Sequence, residues 1–347
     1  MKKTFLALSA ILVLGASCSL FGPSNVITGV VKTVNGGTDW EFSNSIKDSK
    51  LTMAGLHVSR MMFDPQNREI VYASGYNDGI YKSEDSGRTW KRILSNILVY
   101  DFQIHPQDSK TMYAAGLFNG HGRVLLTKDG GGSWNQIFND ASDNNAVRSI
   151  VLNPSNPSQV LIGLTNGNAI KSSDAGYSWK FVKYFADRIN RMAWQNNTIY
   201  VLLRNNGLYQ TPNFGDSFTE LTKPILDIQT AAYSDTSLTF NQFYVDSLSP
   251  ALMYVTTSKG LYKSIDQGIT WAAIRLPIQQ QDSLTYGIAV AKNSSNIVFT
   301  SIGSTLYKST DGGYNWQTQK VATNALINYI LIDPQLPQIA YAGLFAQ

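Results

Sequence analysis

One eight-residue string that returns along the chain constrains its folding more than any other feature. Ser83-Glu84-Asp85-Ser86-Gly87-Arg88-Thr89-Trp90 recurs as Thr127–Trp134, Ser172–Trp179, Ser264–Trp271 and Ser309–Trp316. Weaker copies at Thr33–Trp40 and Thr211–Phe218 put Asn35 and Asn213 where the others carry Asp85, Asp129, Asp174, Asp266 and Asp311. The closing residues are Trp40, Trp90, Trp134, Trp179, Phe218, Trp271 and Trp316, so there are seven copies. These residue types describe a tight turn: Ser/Thr and Asp accept bonds from backbone N–H groups, glycine supplies a positive φ, and the ring packs on apolar neighbours. Alternating runs flank each turn, as in Ile70–Ser74 and Gly79–Lys82 before it and Trp90–Ile93 after it. Four short strands per unit are predicted. The central positions are separated by 50, 44, 45, 39, 53 and 45 residues, which suits four-stranded units.

The string resembles the Asp-box, or BNR repeat, over essentially the whole chain after Cys18. That resemblance implies an all-β fold, a seven-bladed β-propeller. The 36 residues after Asp311 and the 10 from Asn25 to Asn35 add to 46, one further period. The ring is therefore expected to be closed by N- and C-terminal strands sharing one blade: Ile327–Pro334 and Ile339–Phe345 as its first two strands, Val26–Val31 and Asp39–Ser43 as its last two. In this family the box lies on the outer rim, away from the ligand face, so its Asp or Asn is read as structural. Lys32, Lys82, Lys171, Lys263 and Lys308, each just before a box, are read as a solvent-facing ladder.

At the N-terminus, Met1-Lys2-Lys3, an apolar run from Phe5 to Leu14 and Leu14-Gly15-Ala16-Ser17-Cys18 read as a bacterial lipoprotein signal. The run is too short for a stable spanning helix. Cys18 is the only cysteine, so an exported chain has no disulfide partner for it, and lipidation of its thiol is expected. The predicted organisation is signal peptide 1–17, lipidated cysteine and tether 18–25, and a single propeller over 26–347, anchored to a membrane through Cys18. The whole sequence carries 28 Lys+Arg against 24 Asp+Glu. Without Lys2 and Lys3 the balance is 26 minus 24, or +2, too small to imply nucleic acid as a partner.

Asp64-Pro65, His105-Pro106, Asn153-Pro154 and Asp333-Pro334 share one position, the turn leaving a first strand, so His105 is read as a turn residue. His57 and His121 have no carboxylate or cysteine at ligand spacing. No metal, cofactor or catalytic residue is assigned. Function is expected on the loops that enter each first strand and those joining second to third strands. Candidate ligand-face residues are Arg60, Tyr100, Asp101, Arg148, Arg191, Arg204 and Tyr329, with His57, Tyr76, Asn77, Phe118, Asn119, His121, Asn166, Asn168 and Arg188 nearby. Arginine forks and flat aromatic rings suit a protein, peptide, carboxylate-bearing ligand or glycan.

The resemblance offers three functional classes. Asp-box sialidases use an arginine triad, a Tyr-Glu pair and an Asp acid on six blades; here Glu41, Glu69, Glu84 and Glu220 are the only glutamates, and all fall in or beside boxes or in a turn. Xyloglucanase-type hydrolases place paired Asp residues between two propellers, and one propeller makes no such cleft. The photosystem II assembly factor and sortilin-type receptors are binding proteins on similar rings. The expected function is an envelope-anchored binding or scaffold lipoprotein, with a sialidase- or xyloglucanase-like glycoside hydrolase as the alternative.

Overall fold

The computed structural model describes residues 26–232, 238–277 and 284–346, so Cys18 and the segments around it lie outside the described residues. Seven four-stranded antiparallel sheets follow one another, as the repeat count predicts. Blade 1 is Val58–Phe63, Val71–Gly75, Ile80–Ser83 and Lys91–Leu94, and each later first strand starts a new blade at Leu98, Val147, Ile189, Phe240, Thr285 and Leu326. Blade 7 joins the two ends of the chain: Leu326–Ile332 and Ala340–Phe345 pair with Gly29–Thr33 and Glu41–Phe42, with Val31 opposite Ala342. The longest interval between boxes holds a helix, Lys223–Ala232, between blades 4 and 5.

Second strands are covered on both faces, so burial does not alternate along them; Val71–Gly75 and Met253–Thr257 are buried at every residue, including Ser74, Thr256 and Thr257. One register position on that strand carries Tyr72, Tyr113, Leu161, Tyr200, Tyr254, Phe299 and Tyr341, all buried. The core is correspondingly a ring of seven apolar clusters, one between each pair of neighbouring blades.

Each box closes the turn between third and fourth strands with the same bonds. In blade 3, Ser172 Oγ accepts from Gly176 N at 2.8 Å and donates to Asp174 Oδ1 at 2.7 Å, while Asp174 accepts from Ser178 N and Ser178 Oγ. Two successive residues adopt positive φ, as at Ala175 (59°) and Gly176 (98°). A Cβ on Gly176 would come within 2.5 Å of Ile137 Cδ1, so the second position needs glycine for space as well as for φ. Four of the six box tryptophans reach back to the preceding blade: Nε1 of Trp90, Trp134, Trp179 and Trp271 donates to the carbonyls of Ser43, Ile93, Ile137 and Leu221, while Trp40 and Trp316 donate to Gly37 and Gly313 of their own boxes.

The lysines before the boxes correct the expected solvent-facing ladder. Lys32, Lys171, Lys263 and Lys308 reach forward, and their Nζ atoms donate to the carbonyls of Ser86, Phe214, Gly312 and Gly36 in the next blade's box. The physical cause is the left-handed residue after each box Asp or Asn, which turns its carbonyl toward the neighbouring blade. Lys82 alone pairs within its own blade, with Glu84.

Candidate ligand-binding site

Every first strand slips register against its second strand near its start, between Val58 and Arg60, Val99 and Asp101, Val147 and Ser149, Ile189 and Arg191, Phe240 and Gln242, Thr285 and Ile288, and Ile327 and Tyr329. These are β-bulges, which re-aim side chains. Four of the extra residues fasten one blade to the next: Ser59 Oγ donates to Val99 O, Asn190 Nδ2 to Phe240 O, Asn241 Nδ2 to Thr285 O and Asn328 Nδ2 to Val58 O. In blades 2 and 3 the extra residues are Tyr100 and Arg148, which stack on each other instead, the guanidinium 4.0 Å from the ring centre.

The candidate residues fall into two groups. Tyr100 and Arg148 belong to the loop face, where Tyr76 lies 5.4 Å from Tyr100 and 5.7 Å from Phe345, and Phe345 lies 5.1 Å from His57. Arg188 and Arg204 join them from blade 4; Arg204 N donates to Arg188 O. Burial, then the charges of Arg148 and Arg204, pull Arg188 down to about 10, so the three guanidiniums share one electrostatic field. None of the three has a carboxylate at ion-pair distance among the described residues. Asp187, next in sequence to Arg188, is occupied by the backbone N–H groups of Arg188, Asn205 and Asn206.

Arg60, Asp101, Arg191 and Tyr329 follow the bulges and form a polar ring across the central channel with Ser149 and Gln242. Arg60 Nε lies 3.1 Å from Asp101 Oδ1, and Asp101 Oδ2 accepts from Ser149 Oγ at 2.6 Å and Ile150 N at 3.0 Å. Arg191 Nη2 donates to Tyr329 Oη at 3.2 Å. Burial opposes the charge on Arg60, but Asp101 and then Tyr329 hold its value above normal. Burial also resists ionisation of Tyr329, yet Arg60 and Arg191 outweigh it and bring the phenol below its ordinary value. A ring with a surplus of positive charge produces that sign.

Phe345 escaped sequence reasoning, although register shows it: it ends the second strand of blade 7 at the position that Tyr76 and Arg204 hold just past the second strands of blades 1 and 4. His105 and His121 stand apart from both groups. His105 Nδ1 accepts from Gln107 N in its turn, and His121 Nε2 is 3.9 Å from Asp143. Among the described residues no group of three or more His, Cys, Asp or Glu is placed to hold a metal ion.

Comparison with known proteins supports the Asp-box propeller reading. Residues 78–185 match the Sortilin-Vps10 family (sortilin, neurotensin receptor 3). The xyloglucanase Xgh74A of Acetivibrio thermocellus is 21% identical over 284 residues, covering 74% of this chain and 30% of that enzyme. The chain thus spans less than a third of the length of that curated relative. A GH74 xyloglucanase from Xanthomonas campestris superposes with a TM-score of 0.67 at 17% identity, over 84% of this chain and 51% of the other. YCF48 bound to D1 peptide gives 0.62 at 16% identity, over 83% and 93%. At these identities the structural likeness establishes the fold alone.

Proposed function

We propose that this protein is a membrane-anchored binding protein whose loop face captures an acidic, carboxylate-bearing segment of another envelope protein. The observation that carries this reading is the trio Arg148, Arg188 and Arg204, without carboxylate partners, beside the Tyr100–Tyr76–Phe345 row. Guanidinium forks bind carboxylates in two-pronged fashion, and large rigid rings give contact area at low entropic cost. The position of Val26 adds support, because Thr28 N and Gly29 N bond to Ala54 and Leu56, just before His57 on this same face. With a lipid on Cys18, eight residues reach about 28 Å, which holds the face near the bilayer and favours a partner segment exposed close to it. YCF48, whose structure holds D1 peptide, is a fold neighbour and offers a precedent for a peptide on such a ring.

The second reading, a glycoside hydrolase, draws on the likeness to xyloglucanases. Asp101 is its natural acid or base, but both Asp101 oxygens are engaged by Arg60, Ser149 and backbone N–H groups, and no second carboxylate faces it in the ring.

A photoreactive residue at Tyr76, combined with Arg148→Ala, Arg188→Ala and Arg204→Ala together, separates the readings in living cells. The binding reading expects one reproducible protein adduct that the triple substitution abolishes while the unfolding midpoint stays nearly constant. An adduct pattern unchanged by the substitutions overturns it, and release of sugar from xyloglucan by the purified protein replaces it with the hydrolase.

A further inference from the structure

The polar ring closes one end of a cavity of about 860 Å³ that occupies the central channel. Its open end is the face bearing the boxes, because its rim consists of the turns leaving the first strands, among them Pro65-Gln66, Pro106 and Pro334-Gln335. Arg148, Arg188, Arg204, Tyr76 and Tyr100 of the loop face contribute nothing to its lining. The channel is therefore a blind funnel on the opposite side of the molecule from the arginine and aromatic row.

Two guanidiniums, Arg60 and Arg191, meet at the blind end against one carboxylate, Asp101. Arg191 has no acidic partner; it bonds to the Tyr329 hydroxyl, and its Nε is buried with no hydrogen-bond partner. Arg60 Nε, although 3.1 Å from Asp101 Oδ1, likewise lacks a well-aligned hydrogen bond. A buried cation left without a counter-charge is costly, and an anion between the two arginines would offset that cost. Between ring and rim the walls turn largely apolar, with Met62, Ala193, Phe243, Val245 and Leu331. The volume falls within the range of sites that enclose small molecules, roughly 300–1,000 Å³. At the rim Arg68 is paired with Asp333, whereas Lys292 is exposed and free to draw anions inward.

We infer that the channel is a separate site for a small organic acid, with its carboxylate between Arg191 and Arg60 and its apolar body along Met62, Ala193 and Leu331. Entry is head first from the box-bearing face. The body length is limited by the funnel, and a neutral molecule of the same shape leaves the Arg191 cation unanswered.

Hexanoate and 3-phenylpropanoate, titrated calorimetrically into the full chain against hexanamide as the uncharged control, test this site. The acids are expected to bind and hexanamide not to bind. Arg191→Gln should weaken the acids at least tenfold, and Gln195→Trp, which puts a large ring across the mouth without touching the arginines, should abolish binding. A second readout is the alkaline titration followed by tyrosinate absorbance, in which the Tyr329 component should move to higher pH on binding because the carboxylate offsets the field of Arg60 and Arg191. The inference is overturned if neither acid binds, if hexanamide binds as well as hexanoate, or if both variants bind the acids like the parent chain. Since no loop-face arginine lines the channel, failure here leaves the binding reading of that face standing, and the converse also holds.

Discussion

At the scale of single residues, the boxes are small acid-sensitive devices. Asp174 is held down to about 2 by the Ser178 hydroxyl, then by Ser178 N and Ser172 Oγ, and Asp311 to about 2 by Asn315 N, the Asn315 amide and Ser309 Oγ. Unfolded aspartate titrates near about 3.9, so the folded chain binds these protons less readily than the unfolded one. Stability from the boxes is then complete above about pH 4 and is lost as pH falls toward about 2. Denaturant midpoints should stay level from neutral pH to near about pH 4 and decline below it; a decline centred above about pH 5 would assign the acid sensitivity to other groups. Asp174→Asn should retain the fold and reduce the acid-dependent loss, because Asn213 already serves uncharged in blade 4, its Oδ1 accepting from Ser217 N at 3.0 Å.

At the scale of elements, blades are joined by donors that reach across their interfaces, and these joints were only partly legible in the sequence. The tryptophans could be read as packing residues from the box itself, but that Trp90, Trp134, Trp179 and Trp271 donate backward to the preceding blade, while Trp40 and Trp316 donate within their own boxes, depends on a neighbour that no local pattern names. The same holds for the lysines: alternation along Gly260–Ser264 tells which face Lys263 occupies, not that the Gly312 carbonyl waits there at 2.7 Å. The bulges left no signature either, since Ser59, Tyr100, Arg148, Asn190, Asn241 and Asn328 share little beyond polarity and the slip exists only between paired strands. Hence the candidate residues, which read in the sequence as one surface, are divided by the bulges between loop face and channel. The latches are testable. Lys263→Met keeps the apolar stem and removes one of two donors to the Gly312 carbonyl, which retains the Tyr254 hydroxyl at 3.0 Å, so the loss should be that of one hydrogen bond, about 0.5–1.5 kcal/mol. Lys180→Met, at an exposed position, should stay within about 0.5 kcal/mol of the parent. Equal midpoints for the two variants would mean that the Lys263 bond contributes nothing net.

At the scale of the whole molecule, closure of the ring makes seven interfaces depend on one another. In an open stack of repeats, weakening the last interface frays the end and leaves the rest folded. Here the last blade contains the chain's first described strand, and Tyr341 on Ala340–Phe345 is bonded to Ser86 O of blade 1 at 2.8 Å while packing edge-on against Phe63 at 5.8 Å. Tyr113 holds the same register position in blade 2, far from the closing joint, and is equally buried. Tyr341→Ala and Tyr113→Ala each remove a large ring from the core, a loss of about 3–5 kcal/mol. If closure couples the blades, both variants lower the midpoint of one cooperative transition by similar amounts, followed by tryptophan fluorescence and far-ultraviolet circular dichroism in denaturant. If Tyr341→Ala instead unfolds in two steps, with Trp40 and Trp90 reporting before the remaining tryptophans, blade 7 is a detachable clasp, and the channel and loop face would persist on an opened ring.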